Sequence, residues 1–346
     1  METTRRNFLA MAGAAAPLLL GADDKAGTKA PIVGEGEFKY EAIHDWGELP
    51  HHIKYGNTHG VCEDSQHNIY IHHTVGAGSE SNDTIVVFDS KGKFVRSWGK
   101  QFKAGAHGLH IRKEGNEEFL YICDQLHGIV TKRTLKGEEV WTLGYPTESK
   151  PYEKGPGKPG LNYRPTNVAI APNGDFYVGD GYGSFYIHRY NSKAELIGTF
   201  GGMGKEPGQL NMPHGLMVDT RESTPVLLVA DRANRRIQRF TLEGQPIDIV
   251  EGTRLPCHFH EQKGVVVVPD LLARVTLMDK SNKVIAHLGD GEYSNQEWSK
   301  LRTEQRDKFT PGKFVCPHSA IFDHLGNIFV VEWVEVGRVT KLRKVA

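Results

Sequence analysis

Four histidines stand at one place in a repeating unit, each opening an apolar, strand-like run: Thr58-His59-Gly60, Ala106-His107-Gly108, Pro213-His214-Gly215 and Pro317-His318-Ser319. Neutral imidazole is the commonest protein metal ligand, so a repeat that delivers several to one point can build a metal site by symmetry. Zinc accepts three histidines and keeps a fourth position for water or substrate, whereas closed structural sites use four protein ligands. The pattern therefore points to chemistry rather than scaffolding.

The elements that must position these side chains are clearest between Arg164 and Gly201. There Asn167-Val-Ala-Ile-Ala, Asp175-Phe-Tyr-Val-Gly-Asp180, Phe185-Tyr-Ile-His-Arg-Tyr190 and Glu195-Leu-Ile-Gly-Thr-Phe-Gly201 are separated by turn residues, which reads as four short strands. The same grammar begins near His59, His107, His214, His258 and His318, with units in the length range of propeller blades. The expected fold is all-β, a six-bladed β-propeller. The last unit runs out of chain after its third strand, while Lys39 to Gly47 carries the fourth-strand signature. The N-terminal segment is thus expected to complete the sixth blade and remove an exposed sheet edge.

On such a ring the first strands line a central channel, and the start of each first strand shares a face with the end of the second. His107, His214 and His318, in blades two, four and six, would be related by rough three-fold symmetry and point at one centre. His59 and His258 occupy similar places, and blade three has Thr166. The second-strand ends (His72-His73, Asp124, Asp180, Asp231, Asp270 and Glu332) should ring the same mouth, where an acid has ordinary turn chemistry as its simplest role. Tyr182 and Arg232 are not required by a tight turn. A phenol beside a metal can act as a base, and a guanidinium can hold a carboxylate.

Lys plus Arg and Asp plus Glu number 42 each, so no basic field attracts nucleic acid or an anionic membrane. A small molecule or peptide is the expected ligand, and the chain is read as a monomer. Residues 1–22 hold Thr4-Arg5-Arg6-Asn7-Phe8-Leu9 and a short apolar run, which resembles a twin-arginine export signal. A periplasmic or secreted location is expected, with a linker over 23–37, the propeller over 38–346 and no membrane span after signal removal. The cysteines Cys62, Cys123, Cys257 and Cys316 show no close paired spacing and read as small buried strand residues. Two inserts, Tyr145–Tyr163 and Gly291–Lys313, break the blade rhythm and could form lids.

The repeat region resembles the NHL-type six-bladed propellers, and its site constellation resembles the catalytic domain of peptidyl-α-hydroxyglycine α-amidating lyase. The matching stretches are Arg164-Pro-Thr-Asn-Val-Ala with Asp180-Gly-Tyr182, Pro213-His214-Gly with Ala230-Asp231-Arg232, Pro317-His318, and His107-Gly-Leu. The resemblance implies a zinc-dependent lyase that splits a carbinolamide into an amide and glyoxylate. His107, His214 and His318 would bind zinc, Tyr182 would be the base and Arg232 the carboxylate holder. A structural calcium is also allowed for. The chain departs from the family at four places. His72-His73 stands where a second family arginine is expected, Ser319 replaces an acid, Cys316 replaces a methionine, and Gly183 replaces half of a disulfide.

Three functional classes follow. The first is an exported zinc lyase or hydrolase for a small carboxylated or peptide-like substrate. The second is a non-catalytic NHL-repeat module that binds a protein or glycan. The third is a lactonase-type propeller, which would favour carboxylate and Asn ligands over histidines. The roles of His59, His72, His73, His258 and His260 stay open at this level.

Overall fold

The computed structural model describes residues 30–155 and 162–345. The export signal expected over residues 1–22 lies outside them. Six sheets form a closed ring. Blade one comprises Thr58–Glu63, Ile69–His73, Ile85–Phe88 and Phe94–Trp98; blade two Ala106–Glu114, Glu117–Asp124, Ile129–Thr134 and Glu139–Leu143. Blade three comprises Asn167–Ile170, Phe176–Gly179, Tyr186–Tyr190 and Leu196–Gly201; blade four Pro213–Asp219, Val226–Asp231, Arg236–Phe240 and Pro246–Val250. Blade five holds His260–Gln262, Val265–Asp270, Arg274–Met278 and Val284–Leu288, and blade six starts with Pro317–Phe322, Ile328–Glu332 and Arg338–Lys344.

The N-terminal closure is as expected. Tyr40–His44 pairs antiparallel with Arg338–Lys344, in register from Tyr40↔Lys344 to His44↔Thr340. The sheet runs further than the sequence reading allowed: Ile32–Val33, placed there in the linker, pairs with Tyr40–Glu41 as a fifth strand and covers what would be an open edge. His258 does not open a strand, because the first strand of blade five begins at His260.

The core lies between blades rather than at one centre. Val61, Ile71, Val86 and Phe88 of blade one pack on Ile321, Phe329 and Val331 of blade six, and similar layers join blades two and three and blades four and five. Middle strands are covered on both faces, so Val226-Leu-Leu-Val-Ala is apolar throughout and buried, as expected for a strand without a solvent face. A separate cluster beneath the second insert contains Cys257, Phe309, Val315 and Cys316, with Trp298 and Leu301 from the helix Asn295–Leu301 packed against it. All four cysteines are free and buried. No described helix is long and apolar enough to cross a membrane.

Candidate metal centre

Each first-strand histidine of the trio reaches across to the neighbouring blade. His107 Nδ1 lies 2.7 Å from Thr166 O, His214 Nδ1 lies 2.8 Å from Cys257 O, and His318 Nδ1 lies 2.8 Å from His59 O. A carbonyl only accepts, so each Nδ1 carries the proton and each Nε2 presents a lone pair. At His107 and His214 the next residue is glycine, which lets the carbonyl come close. A Cβ on Gly108 would sit 2.4 Å from Thr166 O, and one on Gly215 would sit 2.5 Å from Cys257 O. In blades two and four the His-Gly pair is thus one device, in which glycine admits the carbonyl that fixes the imidazole; His318 makes the same bond with Ser319 after it.

The lone pairs converge. His107 Nε2 and His214 Nε2 are 3.2 Å apart, and Tyr182 Oη lies 3.2 Å from the first and 3.0 Å from the second. One phenolic proton cannot serve both nitrogens, and His318 Nε2 is buried without a partner. Facing lone pairs with an orphaned third nitrogen suit a cation better than a hydrogen-bond network.

His59 joins the cluster. Nitrogens of His59, His107 and His318 all lie within 4.8 Å of one another, so a second triangle shares the His107–His318 edge with the trio selected by three-fold symmetry. The two triangles differ in support: His59 Nδ1 has no partner, whereas His107, His214 and His318 are each held by a carbonyl of the kind that orients metal-bound imidazole. His72 and His73 are buried, and neither ring nitrogen of His73 has a partner. Burial holds these imidazoles neutral: His72, His73 and His107 are pushed down to about 3, and His59, His214 and His318 lie well below the usual histidine range.

Arg232 is buried beside the trio, with its Nη2 donating to Tyr182 Oη at 3.2 Å. The two residues predicted to do chemistry therefore touch each other and the histidines. Gly181 and Gly183 let the Tyr182 loop fold. A Cβ on Gly183 would meet the Asp180 carboxylate at 2.1 Å and Asn162 O at 2.3 Å, so the cysteine expected there has no room. Ser319, in place of the family's acid, is buried with its hydroxyl unpartnered, and offers a calcium ion no charged oxygen at that position.

The second-strand acids take the structural role. Asp180 accepts from Arg164 N at 2.6 Å, Asp231 from Asn211 N at 2.6 Å, Asp270 from Arg254 N at 2.9 Å, and Glu332 from Val315 N at 2.7 Å. Each clamps the segment just before a first strand, and in blades four and six that segment leads into His214 and His318. Blade one has His73 opposite Thr58, at the register where Asp231 faces Pro213 and Glu332 faces Pro317. Asp124 instead caps its own turn through Leu126 N and His127 N.

Above the histidines opens a cavity of about 640 Å³, whose wall includes His59, His107, Tyr182 and three cations: Arg232, Arg164 and Lys103. No Asp or Glu lies among its described lining residues. Arg164 and Lys103 escaped functional assignment in the sequence because each enters from a loop between blades, outside the repeating register. Arg164 is braced by Gln125 and has its guanidinium 5.7 Å from the Tyr182 ring centre.

The chain is 30% identical over 218 residues to peptidyl-alpha-hydroxyglycine alpha-amidating lyase 1 of Drosophila melanogaster, covering 54% of this chain and 38% of that protein. It is 26% identical over 270 residues to a probable peptidyl-alpha-hydroxyglycine alpha-amidating lyase of Caenorhabditis elegans, covering 77% and 71%. Its homologues also include NHL repeat-containing protein 3 of Homo sapiens. Among the first of these curated relatives, the chain spans from 22% to 38% of their length. The structure of a gluconolactonase from Xanthomonas campestris superposes with a TM-score of 0.58 at 14% identity, over 91% of this chain and 97% of that one, a likeness of fold. No profile of a known family matches. The chain is thus a six-bladed propeller with lyase-type and NHL-repeat homologues, and its histidine cluster can hold a metal.

Proposed function

We propose that the protein is an exported, zinc-dependent lyase or hydrolase acting on a small carboxylated or peptide-like substrate, with an amidating-lyase type of reaction as the best fit. The observation that carries this is the convergence of three lone-pair nitrogens, each fixed by a carbonyl-bound Nδ1–H, next to a phenol and a buried guanidinium. His107, His214 and His318 would hold the ion. When bound, zinc would polarise a substrate oxygen and ease its deprotonation.

The chain's own groups supply the rest. Arg232, with Arg164 and Lys103 on the same wall, would bind the substrate carboxylate, and the lack of acids there removes competition for these cations. Tyr182 Oη, next to Arg232 Nη2, would take the proton from a carbinolamide hydroxyl. The O–H electron pair then forms the aldehyde C=O, the C–N bond breaks towards nitrogen, and the nitrogen gains a proton to become the amide. The products are an amide and glyoxylate. The phenol can return the proton, so no net acid or base is consumed.

A peptide ending in α-hydroxyglycine is the direct test, with amide and glyoxylate measured in equal amounts. Turnover that survives both zinc removal and His214→Ala would overturn the reading. Export through residues 1–22 is tested by Arg5→Lys with Arg6→Lys, expected to retain the protein inside the cell, and by fractionation of the unaltered chain.

A further inference from the structure

At the other mouth of the channel, the hairpin turns of blades one and six meet. Glu63 ends the first strand of blade one, His67 lies in the turn that follows, and His324 lies in the corresponding turn of blade six. Their ligand atoms all lie within 4.8 Å of one another. His324 Nδ1 is 2.6 Å and His67 Nδ1 3.5 Å from Glu63 Oε1. The two imidazoles are stacked, with ring centres 3.5 Å apart and planes inclined by 23°. The carboxylate is aimed, since its other oxygen accepts from His324 N at 2.8 Å, leaving Oε1 to face both rings.

We propose that Glu63, His67 and His324 form a second divalent-metal site, of the zinc class, that clips blade six to blade one. Two imidazoles and a carboxylate are a donor set that zinc accepts, and bonds of about 2.0–2.1 Å place tetrahedral ligands about 3.3 Å apart. The rings need contract by no more than about 1.5 Å, and both are partly exposed. Metal would take the place of a proton on each nitrogen that it binds.

Turn geometry alone does not call for histidine here. His67 takes a left-handed conformation (φ 66) where the same turns of blades three and six have Gly174 and Gly326, a position that costs a side-chain-bearing residue roughly 1 kcal/mol or more. Glu63 and His324 are 261 residues apart, so the clip closes a long stretch of chain across one inter-blade seam. Glu63 and His324 also stand at the lip of a cavity of about 240 Å³ that contains His110, His258 and His260, well separated along the strands from His59 and His318.

The test uses the full chain and zinc alone. After equilibrium dialysis, His67→Ala with His324→Ala should bind one zinc fewer per chain than the unaltered protein, and Glu63→Gln should weaken the same site. His214→Ala, which leaves this mouth intact, should still take up zinc and gain at least about 2 °C in Tm from it, a gain that His67→Ala with His324→Ala added to the same chain should abolish even though His59, His107 and His318 remain. Cobalt substituted into His214→Ala should give a tetrahedral absorption band that is lost when His67→Ala and His324→Ala are added to the same chain. An unchanged zinc count in the double variant, or no zinc-dependent Tm rise in His214→Ala, would overturn the proposal. Neither result bears on the near-mouth reading, which rests on His107, His214 and His318.

Discussion

The two mouths of the channel are built by the same strands and have opposite chemistry. Thr58–Glu63 starts at the buried His59 and ends at Glu63; Pro317–Phe322 starts at the buried His318 and leads to His324. At the near mouth the imidazoles are neutral, anchored by carbonyls and faced by cations. At the far mouth they are half in solvent and share a carboxylate. A metal held by three neutral imidazoles keeps its full charge, and a wall of arginine and lysine adds to it, so that mouth favours an anionic substrate. A metal beside Glu63 would be partly neutralised and would suit a joint better than a reaction centre.

The largest effect should come from His214→Ala, which removes a carbonyl-anchored ligand: zinc at the near mouth and turnover of the α-hydroxyglycine peptide should both disappear. Glu63→Gln at the other mouth should leave that turnover within about twofold, since surface changes away from a site have small effects. Loss of turnover in Glu63→Gln would merge the two mouths into one functional unit.

Tyr182→Phe removes only the phenolic oxygen, and kcat should fall by about 10²–10⁴-fold, the range for a positioned acid or base. Zinc content should be unchanged, as measured by metal analysis. A near-normal kcat would reduce the phenol to packing.

Glu332→Ala probes the scaffold beneath His318. It deletes the acceptor for Val315 N and Cys316 N and strips a buried partner from Arg338. An unfolding measurement in denaturant should show a loss of about 3–5 kcal/mol, the cost of leaving one member of a buried ion pair alone.

The smallest and most graded effect is that of pH. In the unfolded chain histidines titrate near 6.5, but burial holds His72, His73 and His107 down at about 3 in the folded protein. Between these values the unfolded state binds more protons, so stability is full above about pH 6.5 and falls as pH drops towards 3. Thermal melts of metal-free protein should show Tm declining over that window. Substituting His72 by Gln should flatten the decline.

How much of this could be read from residues alone depends on whether the feature repeats. The blades were legible because apolar runs and turn residues recur, and closure because Lys39–Gly47 supplies the strand that the last unit lacks. His107, His214 and His318 followed from ring arithmetic, and Tyr182 and Arg232 from their lack of a turn role. Features that depend on one blade touching another were hidden. Nothing local to His59 says that it shares an edge with His107 and His318, and nothing local to Asp231 or Glu332 says that it clamps the approach to a histidine. Arg164 and Lys103 come from loops, and loops carry no register. Gly183 looked like a loss, yet the Asp180 carboxylate occupies the space a larger residue would need.

The pairing of Tyr40–His44 with Arg338–Lys344 also sets a schedule. A chain being synthesised carries Tyr40–His44 without its blade-six partner until Arg338–Lys344 has emerged. Contacts of such long sequence separation form late and slowly. His318 precedes that partner strand and His107 belongs to blade two, so the corners of the histidine cluster come together only in a molecule whose ring has shut. A chain that stops before Arg338 contains every residue of the near-mouth trio and still lacks the strand that closes the ring, so occupancy of that centre would report ring closure.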